Sequence, residues 1–300
     1  MIRMWQAKYM VQRLLSLLPA GVGHWCNHEL SVRFGNLRSP TFNALNDVLV
    51  MVNDLATIGF GISSTRVVEL GTGWDGAAAM CLLGLGAERV DSYDLYSHLD
   101  STLIEKAMTA LATGNITRRR RGEEHKLRAI AAKVDRSRID AARFHYHAPV
   151  NAGETGIATD VVDLYFSLAV LEHVRREALH RLLSESFRIL KPRGICYHYI
   201  EPAMHAWQNK ADTAIDFLAF EDVHWKLLYE NDIAHENRLR APEYLAVLRQ
   251  VGFDVVQSWS VVDPVALSAI PNMRIARRFQ RFTDEELATT YLWVVARKPA

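Results

Sequence analysis

Cysteine is scarce: the 300-residue chain has three, at positions 26, 81 and 196. They lie far apart and no CxxC occurs. The sequence therefore encodes neither a disulfide framework nor a cysteine-built zinc site, and the set suits a reducing compartment. An excess of one charge is lacking too. Lys and Arg number 35 against 34 Asp and Glu, for a net +1. A global electrostatic grip on nucleic acid or an acidic membrane is not implied. Long apolar runs are also missing. Near the N-terminus the longest stretch without a charged residue is 14–28, 15 residues, short of the roughly 20 needed to span a bilayer. Pro19 and Gly21 interrupt it and no small-residue cleavage site follows, so no signal peptide is read. What is present is ordinary globular composition, 49% apolar and 23% charged, with material for a core that needs no staples. A soluble, cytoplasmic chain is expected.

The first 60 residues read as a helical cap. Met4, Tyr9, Val11, Leu14, Leu15 and Leu18 recur at helical spacing until Pro19-Ala-Gly21, and a second helix is expected over 40–58. From Thr65 short apolar runs alternate with helical segments, which signals an α/β sheet within one domain, 61–300. Strands are expected at 66–70, 89–95, 143–147, 161–167, 195–200, 253–262 and 289–297. Helices are expected at 75–85, 98–111, 177–190 and 242–251. Two inserts break the rhythm. The segment 117–143 carries ten basic and four acidic residues, including the run Arg118-Arg-Arg-Arg121. The segment 201–239 is rich in aromatics and histidine, among them Trp207, Phe217, His224, Trp225, Tyr229 and His235.

The segment Val67-Val-Glu-Leu-Gly-Thr-Gly-Trp-Asp-Gly76 takes a buried strand into glycines and then opens a helix. Gly71 and Gly73 let backbone approach a ligand without a Cβ in the way. Asp94 ends the next strand, where a carboxylate can accept both hydroxyls of a ribose. Either nucleotide-type ligand fits so far. Glu69 separates them, because a carboxylate there repels a pyrophosphate but suits a cation. S-adenosyl-L-methionine (SAM) carries both an ammonium and a sulfonium.

Glu69-Leu-Gly-Thr-Gly73 resembles the first motif of class I SAM-dependent methyltransferases. Asp163-Leu-Tyr-Phe-Ser-Leu-Ala-Val-Leu-Glu-His-Val174 is similar to their fourth motif in its Leu-Glu-His-Val variety. Leu190-Lys-Pro-Arg-Gly194 resembles the run into their fifth strand, with Arg193 where the family has Gly. Gly252-Phe253 and the closing Trp293–Pro299 segment resemble the terminal strand pair. The resemblance covers most of 65–299. It implies a Rossmann-like seven-stranded mixed sheet with helices on both faces, SAM as cofactor, and a cofactor site of Glu69, Gly71, Thr72, Gly73, Trp74, Asp94, Leu95, Asn151 and Ser167. Trp74 fits equally as a packing residue or a lid. Asn151 stands in a segment where the family often has Asp facing the adenine, and its carboxamide oxygen can accept from the adenine amino group.

Methyl transfer needs an acceptor positioned and its proton removed, and neutral histidine suits that task. His173 follows the fourth strand. His198, Glu201 and His205 end the fifth and resemble a His-x-Ile-Asp-type segment of a subgroup of these enzymes, as does Asn237-Arg-Leu-Arg240. His205 is expected as the base, with Glu201 orienting it. His145 and His147 share a strand face, but Ala169 replaces the first Glu of a metal-binding Glu-x-x-Glu-His cluster, so no metal is assigned. Arg274, Arg277, Arg278 and Arg281 could hold an anionic acceptor. The fourth motif lacks the Asn/Asp-Pro-Pro-Tyr of enzymes that methylate bases, so nucleic acid is not expected as substrate. The expected activity is O-methylation of a small molecule or sugar, with a homodimer as one open arrangement. The alternatives are N-methylation of a natural-product amine, a nicotinamide-dependent oxidoreductase, and a cofactor-binding protein without catalysis.

Overall fold

The computed structural model describes residues 4–19, 22–23, 26–27, 29–30, 43–113, 123–204, 212–233 and 235–300. Seven strands form one sheet: β1 (Arg66–Leu70), β2 (Arg89–Tyr93), β3 (Phe144–His147), β4 (Val162–Leu168), β5 (Leu190–Ile200), β6 (Asp254–Val262) and β7 (Thr289–Arg297). Their order is β3-β2-β1-β4-β5-β7-β6. β1 to β5 pair parallel, and β7 lies antiparallel between β5 and β6. The expected mixed α/β sheet is therefore present. The order in which strands are added reverses between β1 and β4, and open α/β sheets bind ligands beyond the carboxyl ends of the strands at such a point.

The helices are α1 (Met4–Ser16), α2 (Asn43–Thr57), α3 (Ala77–Gly84), α4 (Ser101–Thr113), α5 (Glu124–Ala131), α6 (Arg176–Ile189), α7 (Asp222–Leu228), α8 (Ala241–Val251), α9 (Pro264–Ala269) and α10 (Asp284–Ala288). One face of the sheet packs Val67, Leu164, Phe166 and Tyr197 against Val48 and Leu49 of α2, Leu82 of α3, Ala107 of α4 and Leu127 of α5. The other packs Val68, Tyr165, Cys196 and Val294 against Leu179 and Leu183 of α6 and Tyr244 and Leu248 of α8. With both faces covered, central strands read as continuous apolar runs. Only β6, at the sheet edge, alternates exposed and half-buried residues.

A third cluster lies apart from the sheet. It joins Trp5 and Tyr9 of α1, Phe217, Trp225 and Tyr229 of the second insert, and Phe279 and Leu287 near the C-terminus. The N-terminal segment thus divides. α2 forms a layer of the sheet, whereas α1 docks on the insert. The Trp5 ring lies 5.3 Å from Tyr229 and Tyr9 lies 5.4 Å from Trp225. Arg13 Nη1 donates to the carbonyls of Lys226 (2.9 Å) and Glu230 (2.6 Å). The apolar stripe read from sequence differs from the buried face: Val11, Leu14 and Leu18 are exposed, and Trp5 and Tyr9 make the contact.

β5 begins five residues earlier than its apolar run suggests. Arg193 N–H donates to the Lys298 carbonyl and Lys298 N–H to the Gly194 carbonyl, each at 3.0 Å. Ladder bonding thereby carries the strand through the polar start. Arg193 takes φ +67, a left-handed conformation that glycine adopts without strain.

Candidate functional site

β1 runs into a turn whose glycines, Gly71, Gly73 and Gly76, have φ of +76, +70 and +56. A Cβ on Gly71 would lie 2.4 Å from Val170 Cγ2, so the turn passes directly beneath the loop after β4. Beside Gly73 a Cβ would meet nothing within 4 Å, which leaves room against bare backbone. The turn is held to β2 by Gly71 N–H donating to the Tyr93 carbonyl at 2.8 Å. It leads into α3, whose eight residues are all buried. Asp75 accepts the Ala77 N–H at 3.0 Å and so caps the helix expected to begin at Asp75 itself.

Three carboxyls surround this turn. Glu69 is buried in β1, where Ser92, its register partner on β2, donates a hydroxyl hydrogen bond at 2.6 Å. Burial, and to a lesser degree the neighbouring Asp94 and Asp75, push its pKa from the ordinary 4.5 up to about 8. Burial raises Asp75 too. Asp94 rises to about 6 through burial, opposed by the Tyr146 hydroxyl and by hydrogen bonds from Thr72 and Gly73. Acids raised in this way are stabilised in their charged form by a cation, whereas a pyrophosphate would hold them protonated. The donor set and the open glycine backbone therefore fit SAM, with a carboxylate at the end of β2 for ribose hydroxyls, and do not fit a dinucleotide.

The outer wall of the site comes from the loop after β2. Tyr146 of β3 donates its hydroxyl to Asp94 Oδ2 at 3.1 Å and accepts the His98 N–H at 3.0 Å. The Trp74 ring packs on His98 with centroids 4.6 Å apart, so Trp74 has a packing partner at the rim of the turn. Leu95 is 61% exposed beside Asp94, an apolar surface of the kind an adenine covers. Asn151 lies near, since Val150 N–H donates to the Asp94 carbonyl at 2.9 Å. Its side-chain oxygen accepts Gly153 N–H at 2.9 Å in a tight turn. Thr72 is buried. Ser167 differs from expectation: it is fully buried, with its hydroxyl 2.7 Å from His198 Nδ1, so it offers no side chain to a cofactor.

The four acid–base candidates part company. His198 is fully buried. Its Nε2 lies 3.1 Å from Cys196 Sγ and its Nδ1 faces Ser167. Burial pulls its pKa down to about 3. Held neutral with both nitrogens engaged, it binds strands β4 and β5 and cannot exchange protons with a ligand. His205 lies outside the described residues. Glu201 accepts the Tyr199 hydroxyl at 2.5 Å, and its N–H donates to Glu172 Oε1 at 3.3 Å. His173 sits on the short turn Leu171–His173 after β4, three residues from the Val170 that presses on Gly71. Its Nδ1 lies 2.7 Å from the His235 carbonyl. A carbonyl only accepts, so Nδ1 carries the proton and the ring lone pair is on Nε2.

Asn237, noted in sequence only as part of Asn237-Arg-Leu-Arg240, sets this turn. Its Nδ2 donates to the carbonyls of Leu171 (2.7 Å) and Val174 (2.9 Å), and its Oδ1 accepts from Tyr244 (2.8 Å). Tyr146 is not singled out in the sequence, and nothing there ties it to Asp94. Other expected residues serve elsewhere. His147 stacks on Tyr93 at 4.5 Å and approaches Asp91 Oδ1 at 3.2 Å. Arg278 and Arg281 pair with Glu243, and Arg278 also with Asp222. The run 118–121 lies outside the described residues.

Residues 68–198 match the family described as a methyltransferase domain. No curated protein matches the chain in sequence. Among solved structures, the 1,6-didemethyltoxoflavin-N1-methyltransferase of Burkholderia thailandensis, with 1,6-didemethyltoxoflavin and S-adenosylhomocysteine bound, shares the fold. Its TM-score is 0.51 at 16% identity, over 94% of this chain and 89% of that one. A SAM-dependent methyltransferase from Mesorhizobium loti is similar at a TM-score of 0.45 and 16% identity, over 82% and 96%. Haemonchus contortus phosphoethanolamine N-methyltransferase 2, in complex with SAM, gives 0.47 and 14%, over 85% and 53%. The matched segment runs from β1 through the glycine turn to His198 of β5 and holds the acids described above. The chain thus carries a methyltransferase domain over 68–198, and the acids and glycine turn within it are the residues that would hold SAM.

Proposed function

We propose that this enzyme methylates an oxygen of a small-molecule acceptor at the carboxyl ends of β4 and β5, and that His173 removes the acceptor's proton. The observation that carries this reading is the 2.7 Å contact of His173 Nδ1 with the His235 carbonyl, which places a proton on Nδ1 and leaves Nε2 as the nitrogen that can take one. When bound, SAM supplies a methyl group already activated on a sulfonium. Glu69 would face its cationic end and Asp94 its ribose. The chain's remaining task is to seat the acceptor and take its proton. Glu201, held by Tyr199, stands on the acceptor side in this reading. α1 and the insert residues it packs on, Phe217, Trp225 and Tyr229, would cover that side, which favours a small, enclosed acceptor such as a sugar or a carboxylated metabolite.

The test is a screen of hydroxylated and amine-bearing small molecules with SAM, read by mass for gain of one methyl. With a hydroxyl acceptor in hand, His173→Ala should lower the rate about 100-fold or more. His205→Ala is the parallel variant. Turnover of an amine at the parent rate by both alanine variants at pH 8 would overturn the reading in favour of N-methylation, which needs less help from a base.

A further inference from the structure

Tyr146 makes contacts that none of the family motifs describes. It projects from β3 in register with Ser92, and its hydroxyl meets groups from two different segments. It donates to Asp94 Oδ2 at 3.1 Å and accepts the backbone N–H of His98 at 3.0 Å. The Tyr96 carbonyl lies further off at 3.4 Å. The segment 95–100 is in turn laid against the glycine turn. Asp100 N–H donates to the Trp74 carbonyl at 2.9 Å, and His98 packs on the Trp74 ring. A Cβ at Gly76 would lie 3.2 Å from Leu99 Cδ1. One phenol oxygen therefore joins the acid at the end of β2 to the strap that walls the turn.

We propose that Tyr146 is a positioning residue for the cofactor, orienting the Asp94 carboxylate and fastening the strap 95–100 over the glycine turn. A carboxylate has free rotation about its last bond. A donor on one of its oxygens fixes the plane in which the other can accept, and a charge-assisted bond is strong enough to do so. The same oxygen accepts from His98, so the strap cannot lift without breaking a bond to the residue that orients Asp94. The inference rests on SAM lying over Gly71–Gly73 beside Asp94.

Tyr146→Phe keeps the ring and removes only this oxygen. Binding of SAM and S-adenosylhomocysteine, followed by titration calorimetry, should weaken about tenfold, while the ligand-free protein melts close to the parent. In an Asp94→Ala background the same change should have little further effect, because the two residues act as one unit. Trp74 emission, taken as the difference from a Trp74→Phe chain, should shift to the red in Tyr146→Phe as the strap opens. If the phenylalanine chain melts early, Asp94→Ala supplies the test, since it removes the phenol's acceptor and should shift Trp74. Parent-like affinity in Tyr146→Phe overturns the inference, as does an equal loss of affinity with Asp94 intact or replaced. If the parent chain binds neither adenosyl ligand, the placement of the cofactor itself fails, and this inference with it.

Discussion

Glu69 is the residue whose energetics are most exposed to test. Its pKa rises from 4.5 to about 8 because burial disfavours the charge. The unfolded chain releases this proton near the ordinary value, whereas the folded chain keeps it. Folding stability therefore falls as pH rises from about 4.5 to about 8 and levels above that. Glu69→Gln removes the penalty. It should raise the melting temperature of the ligand-free protein at pH 8, leave it nearly unchanged at pH 4.5, and abolish SAM binding. A melting difference that is the same at both pH values would show that Glu69 holds no proton in the folded state. A cation favours the ionised form, so SAM affinity in the parent should climb as pH approaches 8. At this scale Glu69, Gly71 and Asp94 are legible in the sequence because each requirement is local: a strand end, a turn, a strand end. His198 and Ser167 are misread for a matching reason. Residue type suggests chemistry, but burial and pairing across β4 and β5 decide it, and neither is a local property.

Elements are legible where periodicity is long and capping residues stand at the ends. The expected helix at 242–251 matches α8 within one residue, ended by Gly252 at φ +112. The segment after β6 escapes sequence reading because α9, α10 and the turns between them are too short to establish a period. The last of them, α10, is held instead by Arg240. This fully buried guanidinium donates to the carbonyls of Pro202, Glu286, Leu287 and Thr289. It joins the end of β5 to the last helix and the start of β7. Burial lowers its pKa to about 10, so it stays charged at neutral pH. Arg240→Met would leave several carbonyls without a donor and should destabilise the protein by about 3 kcal/mol, read from the urea midpoint. A change within 0.5 kcal/mol, the range of ordinary surface substitutions, would mean the carbonyls find other donors.

On the scale of the molecule, two cores share the sheet and a third does not. Arg238 sits within that third cluster, 4.8 Å from the Trp225 ring and 5.0 Å from Phe279, so cation–π contact joins what apolar packing assembles. Trp5→Ala should loosen this cluster alone. Hydrogen exchange is expected to quicken in α1 and α7 and stay unchanged in β1 and β4, with SAM still bound. Uniform quickening would show that the cap and sheet open together. The division is hard to foresee from sequence, because Trp5, Trp225 and Phe279 lie more than fifty residues apart at every step.

The strand order also governs how the chain can be made. β7 lies between β5 and β6, so β6 has no neighbour to bond with until residues 289–297 leave the ribosome. A nascent or prematurely ended chain carries three unpaired edges at once, the far side of β5 and both sides of β6. Such edges invite pairing with other chains. Translation therefore completes the sheet only at its final strand.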